Sequence, residues 1–181
     1  FVQSERTSFK DFAMADTAVN RCGPSAGAGR ARCVNPVEAF PKEIEVNGVK
    51  ISLDPSFSGN HMPGPGPVGG SDDATITIGG DKPNARKLVS ARVLKVTVYE
   101  KGNPIALNTD IKLGPGRSPR DDLSLSTIYN VDLSAGGYRP VRLSTDSAYA
   151  MVAVVEVTNK ATGKVSKYKM ATEYEPVMVT R

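Results

Sequence analysis

At 181 residues the chain has room for one well-buried core, since a domain of about 150 residues hides roughly 70% of the surface its unfolded chain exposes; two full domains are not expected. Gly and Pro number 17 and 13, Trp is absent, and the formal charge of +4 is mild, so turns should be plentiful and nothing in the net charge calls for nucleic acid. No run approaches the roughly 18 apolar residues of a membrane-crossing helix; the longest is Ala150 to Val155.

The first residue is Phe1, which an initiator methionine does not explain. A removed secretory leader is therefore expected, and with it an extracellular or cell-surface location, or a virion as the alternative. Thr7 or Ser8 can cap a short helix carrying Phe9, Phe12 and Ala13 on one face. The same residues can instead form an extended arm, with Phe12, Met14 and Ala18 facing one way and Ala13, Ala15, Thr17 and Val19 the other. Propensity leaves both open, and in either form Phe9, Phe12, Met14 and Val19 are the arm's candidate contacts with a neighbouring subunit.

Cys22 and Cys33 flank the segment GPSAGAGRAR. Their even count and close spacing predict a disulfide, contributing about 3 kcal/mol on the loop-entropy model and implying an oxidising compartment. A metal site is the weaker reading, because His61 is the sole imidazole and no four-ligand set exists. Residues 1–41 thus read as an N-terminal arm with a disulfide loop, and 42–181 as a β-sandwich domain.

From Lys42 the run KEIEVNGVKISLD alternates apolar and polar residues around Asn47-Gly48, a pair suited to the positive φ angles of a two-residue hairpin turn. Residues 55–70 hold nine Gly or Pro and read as a surface loop. Strand-like runs follow at Ala74–Ile78, Leu88–Tyr99, Ile105–Leu113, Leu123–Leu133, Tyr138–Leu143, Ala148–Thr158 and Lys164–Tyr174. Lys101-Gly102-Asn103-Pro104 and Asn159–Gly163 should turn the chain between them. The pattern predicts an all-β fold, an antiparallel β-sandwich of eight to ten strands, immunoglobulin-like or jelly-roll.

Nothing in the pattern favours catalysis. His61 lies in the Gly/Pro loop without a partnering nucleophile. The pairs Asp72-Asp73 and Asp121-Asp122 sit in loops where adjacent side chains point apart, against paired acid-base work. Gly70-Ser71-Asp72-Asp73 offers side-chain and carbonyl oxygens suited to calcium, but the spacing matches no helix-loop-helix calcium motif, so a solvated turn is expected. The Arg and Lys residues are interspersed with acids and unaccompanied by aromatics, so no phosphate stripe is predicted, and no cofactor or metal is expected. Tyr129, Tyr138, Tyr149, Tyr168 and Tyr174 fall largely in strand patterns and should be packed rather than displayed.

The expectation is therefore a non-enzymatic structural subunit, packing on copies of itself through its arm and loops in a fibre, a pilus-like filament or a virus-like shell, with other surface or virion components as further partners. Segments as poor in apolar residues as these cannot offset their own ordering entropy, so neighbouring copies should pin them. A monomeric adhesin or ligand-binding module, and a viral coat or capsid decoration protein, are the alternatives.

Overall fold

The computed structural model describes residues 35–60, 72–109, 111–113, 124–133 and 141–180. Those residues form two antiparallel-dominated sheets and two helical turns, α1 (Pro36–Ala39) and α2 (Ala85–Leu88). The first sheet holds β1 (Glu43–Val46), β2 (Val49–Asn60), β3 (Asp73–Gly80), β7 (Ser126–Val131) and β6 (Lys112–Leu113) in the order β1-β2-β3-β7-β6, with β11 (Met178–Thr180) parallel to β2. The second runs β10 (Glu175–Pro176), β8 (Ala148–Asn159), β4 (Val89–Glu100), β5 (Asn103–Asn108), with β9 (Val165–Ala171) also on β8.

Omitting the short terminal pieces, the orders β2-β3-β7-β6 and β9-β8-β4-β5 are the Greek key of an immunoglobulin-type sandwich. A jelly roll would not pair these consecutive strands within one sheet. Tyr149, at the start of β8, strengthens the assignment: its hydroxyl accepts a hydrogen bond from Ser144 N–H at 2.7 Å, the corner characteristic of such folds. The structure has more strands than the eight to ten expected, because β6, β10 and β11 are pieces of two or three residues.

The hairpins form where turn chemistry points. Asn47 and Gly48 take φ of 48° and 74° between the paired residues Val46 and Val49. Lys101 and Gly102 do the same, at 49° and 80°, between Glu100 and Asn103. Asn159 N–H donates to Lys164 O and Gly163 N–H to Asn159 O, closing the β8–β9 loop.

Four expectations need correction. The loop read as starting at residue 55 begins later, because β2 continues to Asn60 with Pro55, Phe57 and Gly59 buried and Asp54, Ser56 and Ser58 on the other face. Pro55 is tolerated for a definite reason. Lys50 exchanges hydrogen bonds with Asp81 on the β3 side, so alternate residues including Pro55 aim their backbone groups the other way. There β1 stops pairing at Ser52 and β11 starts at Ser58, leaving no ladder partner to miss the absent N–H.

The run Ile105–Leu113 is not one strand: β5 and β6 lie in different sheets, and the chain crosses between them. Val141–Leu143 is irregular rather than a strand, with Leu143 buried in the core and its N–H donating to Asp72 Oδ2 at 2.7 Å. Finally, the run Lys164–Tyr174 breaks after Ala171, where Thr172 turns its side chain onto Met151 N–H at 2.9 Å.

The main core lies between the sheets and includes Ile51, Phe57, Ile76, Ile78, Val96 and Tyr149. A second cluster, Val37, Tyr99, Ala150, Val152 and Ala171, sits on the outer face of the β8 sheet under α1. This double coverage explains why Tyr149 to Ala153 are all buried and why that stretch is continuously apolar rather than alternating. Asn35 caps α1, its Oδ1 accepting from Val37 N–H, and shares a 3.2 Å hydrogen bond with the Tyr174 hydroxyl.

Candidate functional site

The arm residues Phe9, Phe12, Met14 and Val19, the cysteines Cys22 and Cys33, His61, and the pair Asp121-Asp122 lie outside the described residues. So do Tyr138 and most of the Gly/Pro loop. Asp72 and Asp73 are described, and they do different things: Asp72 fastens the segment before β8 through Leu143, while Asp73 is exposed and paired across the sheet with Ser58. Among the described residues no group of three or more His, Cys, Asp or Glu is placed to hold a metal ion, and no helix is long and apolar enough to cross a membrane.

The tyrosines are packed as expected where they can be seen. Tyr129 and Tyr149 are buried, and burial raises both phenols above their ordinary pKa. Tyr168 packs against the core, and the Tyr174 hydroxyl accepts from Gly102 N–H at 3.1 Å. One open cleft of about 390 Å³ lies between β5 and β7, lined by Leu107, Asn108, Lys112 and Asp132 among others. Its polar floor is already engaged: Asn108 Nδ2 donates to Asp132 O at 2.8 Å and its Oδ1 accepts from Asp132 N–H at 2.7 Å, tying the two sheets together.

The surfaces that stand out are the sheet edges. The first sheet ends at β6 on one side and at β1 and β11 on the other; the second ends at β5 and at β9 with β10. Of the five large apolar residues exposed among the described ones, four fall on these edge strands: Leu107 on β5 (54%), Val165 on β9 (56%), and Met178 (62%) and Val179 (36%) on β11. Only Ile128, on β7, lies inside a sheet. Edge strands are where proteins that stay monomeric place charge, proline or a cover, because an open apolar edge templates pairing with another chain.

The second feature is charge. The β1–β2 turn, the connection from Asp81 to Leu88 and the β8–β9 loop meet at one end, joined by bonds from Asn47 Nδ2 and from Lys160 N–H to the Leu88 carbonyl, each 3.0 Å. That end carries Lys82, Arg86, Lys87, Lys160 and Lys164. The opposite end, at the far termini of the same strands, carries Asp73, Glu100, Asp132, Asp146, Glu173 and Glu175, with Lys42 ion-paired to Glu173.

Sequence reasoning singled out neither surface. The cations of the basic end come from segments some eighty positions apart, and only strand register brings them together. The edge residues carried a local signal: Val177, Met178 and Val179 are three consecutive apolar residues where a strand with one wet face would alternate. Compared with protein-family models, with curated proteins and with solved structures, the chain matches none.

Proposed function

We propose that this protein is a non-enzymatic structural subunit of a repeating extracellular assembly, a surface fibre or a shell, in which copies pack on one another through sheet edges and the N-terminal arm. The observation that carries this reading is the concentration of exposed apolar side chains on edge strands. Covering a Leu, Met or Val side chain is worth about 1.5–3 kcal/mol, so four such residues supply a driving force for association that a permanent monomer has no use for. Backbone pairing along the same edges adds direction and specificity.

The reading is tested by placing a lysine on two of these edges, β5 and β11. Leu107→Lys and Met178→Lys leave the core untouched, so the variants should fold with the thermal midpoint of the parent. In sedimentation velocity they should remain monomeric at concentrations where the parent associates. Removal of residues 1–20 should weaken association in the same assay without unfolding the sandwich. Association of all three variants equal to that of the parent would contradict the reading.

A further inference from the structure

We propose that the copies stack head to tail, the basic end of one sandwich docking on the acidic end of the next, so that the assembly is an open, directional filament rather than a closed shell; this rests on the subunit reading above. The two ends are built differently and face opposite ways. β4 and β8 each span 12 residues, which at about 3.3 Å per residue sets the ends roughly 40 Å apart along one axis.

The basic end is held by its own packing. Ala85 of α2 is fully buried against Gly80, where a Cβ would meet Ala85 Cβ at 3.2 Å and Val49 at 3.1 Å, so the absence of a side chain there eases the close approach. Lys160 Nζ donates to the Arg86 carbonyl, which fixes the amine without neutralising it. Two carboxylates lie nearby, Glu45 and Asp81, the latter accepting from Lys50 N–H at 2.8 Å, and the five cations outnumber them among the described residues. The cations are thus displayed from anchored turns, and ordering them on docking costs less backbone entropy than ordering a floppy loop.

The acidic end is likewise attached to strand termini. Glu100 closes β4 and accepts from the Tyr149 hydroxyl at 3.3 Å. Glu173 and Glu175 flank the break between β9 and β10, and Asp146 precedes β8. Cations are present there too, Lys42, Lys101, Lys112 and Arg142, but the carboxylates outnumber them among the described residues. An excess of opposite charge on opposite ends repels like ends and attracts unlike ones, which favours a heterologous contact, and ends that face opposite ways along one axis carry that contact onward rather than around a ring. A soluble polyanion would also be drawn to the basic end, yet it would leave the segregated acidic end without a role.

Complementary charge reversal tests this. One variant carries Lys82→Glu, Lys87→Glu and Lys160→Glu; the other carries Asp73→Lys, Asp146→Lys and Glu173→Lys, all exposed positions. Each alone should fold, by circular dichroism, and should associate at least tenfold more weakly than the parent. Mixed in equal amounts they should co-assemble, and electron micrographs of parent and mixture should show filaments with an axial repeat near 40 Å. Parent assembly with variants that assemble equally well alone, or a mixture that fails to assemble, would overturn head-to-tail stacking while leaving the subunit reading standing. The same holds if reversal of the basic end abolishes only binding to heparin as a model polyanion. A parent that never assembles would overturn the subunit reading itself.

Discussion

Tyr149 joins three parts of the molecule through one side chain. Its ring lies 5.5 Å from that of Phe57 on the facing sheet, while its hydroxyl accepts from Ser144 N–H and donates to Glu100. Tyr149→Phe keeps the ring contact and leaves the Ser144 N–H without this acceptor, so a loss of about 1–3 kcal/mol is expected in denaturant titration. The pH dependence has a definite sign. Burial raises the folded-state phenol pKa, so as pH climbs through about 10 the unfolded chain releases its proton first and stability falls. Below that range both states hold the proton and this group contributes no slope. The parent should therefore lose stability more steeply than Tyr149→Phe between about pH 9 and pH 11; equal slopes would show that the buried phenol is not responsible.

At the scale of elements, the hairpins were legible because their turns rest on local chemistry. Asn47-Gly48 satisfies a positive-φ requirement within two residues, and no distant contact is needed to read it. β2 was legible only in part. Its alternation Leu53, Pro55, Phe57, Gly59 against Asp54, Ser56, Ser58 is present in the sequence, but Gly and Pro composition outweighed it, and the gap between β1 and β11 that accommodates Pro55 is a tertiary fact. The crossing between β5 and β6 was hidden for the same kind of reason, since the Asn108–Asp132 bonds that mark it join residues 24 apart. Phe57→Ala discriminates the two readings of β2: as a core strand residue it should cost about 3–5 kcal/mol, whereas a surface-loop residue would change stability by less than about 0.5 kcal/mol.

For the whole molecule, the immunoglobulin-type sandwich accounts for the core, and the candidate assembly surfaces are what that core leaves uncovered: apolar edges and two ends of opposite charge. The sequence carried the class of fold, because alternation and turn residues act over a few positions. It did not carry the charged ends, because Arg86 and Lys160 become neighbours only once β4 and β8 pair in register. Edge contacts and end contacts respond differently to salt. Apolar burial persists as ionic strength rises, whereas attraction between exposed charges is screened as the Debye length shrinks from about 30 Å at 0.01 M to about 3 Å at 1 M salt. The most direct test of self-assembly is sedimentation velocity of the full chain over a wide concentration range at those two ionic strengths. The account predicts association that grows with concentration at both and is markedly stronger at low salt; a single monomeric species at every concentration in both buffers would contradict it.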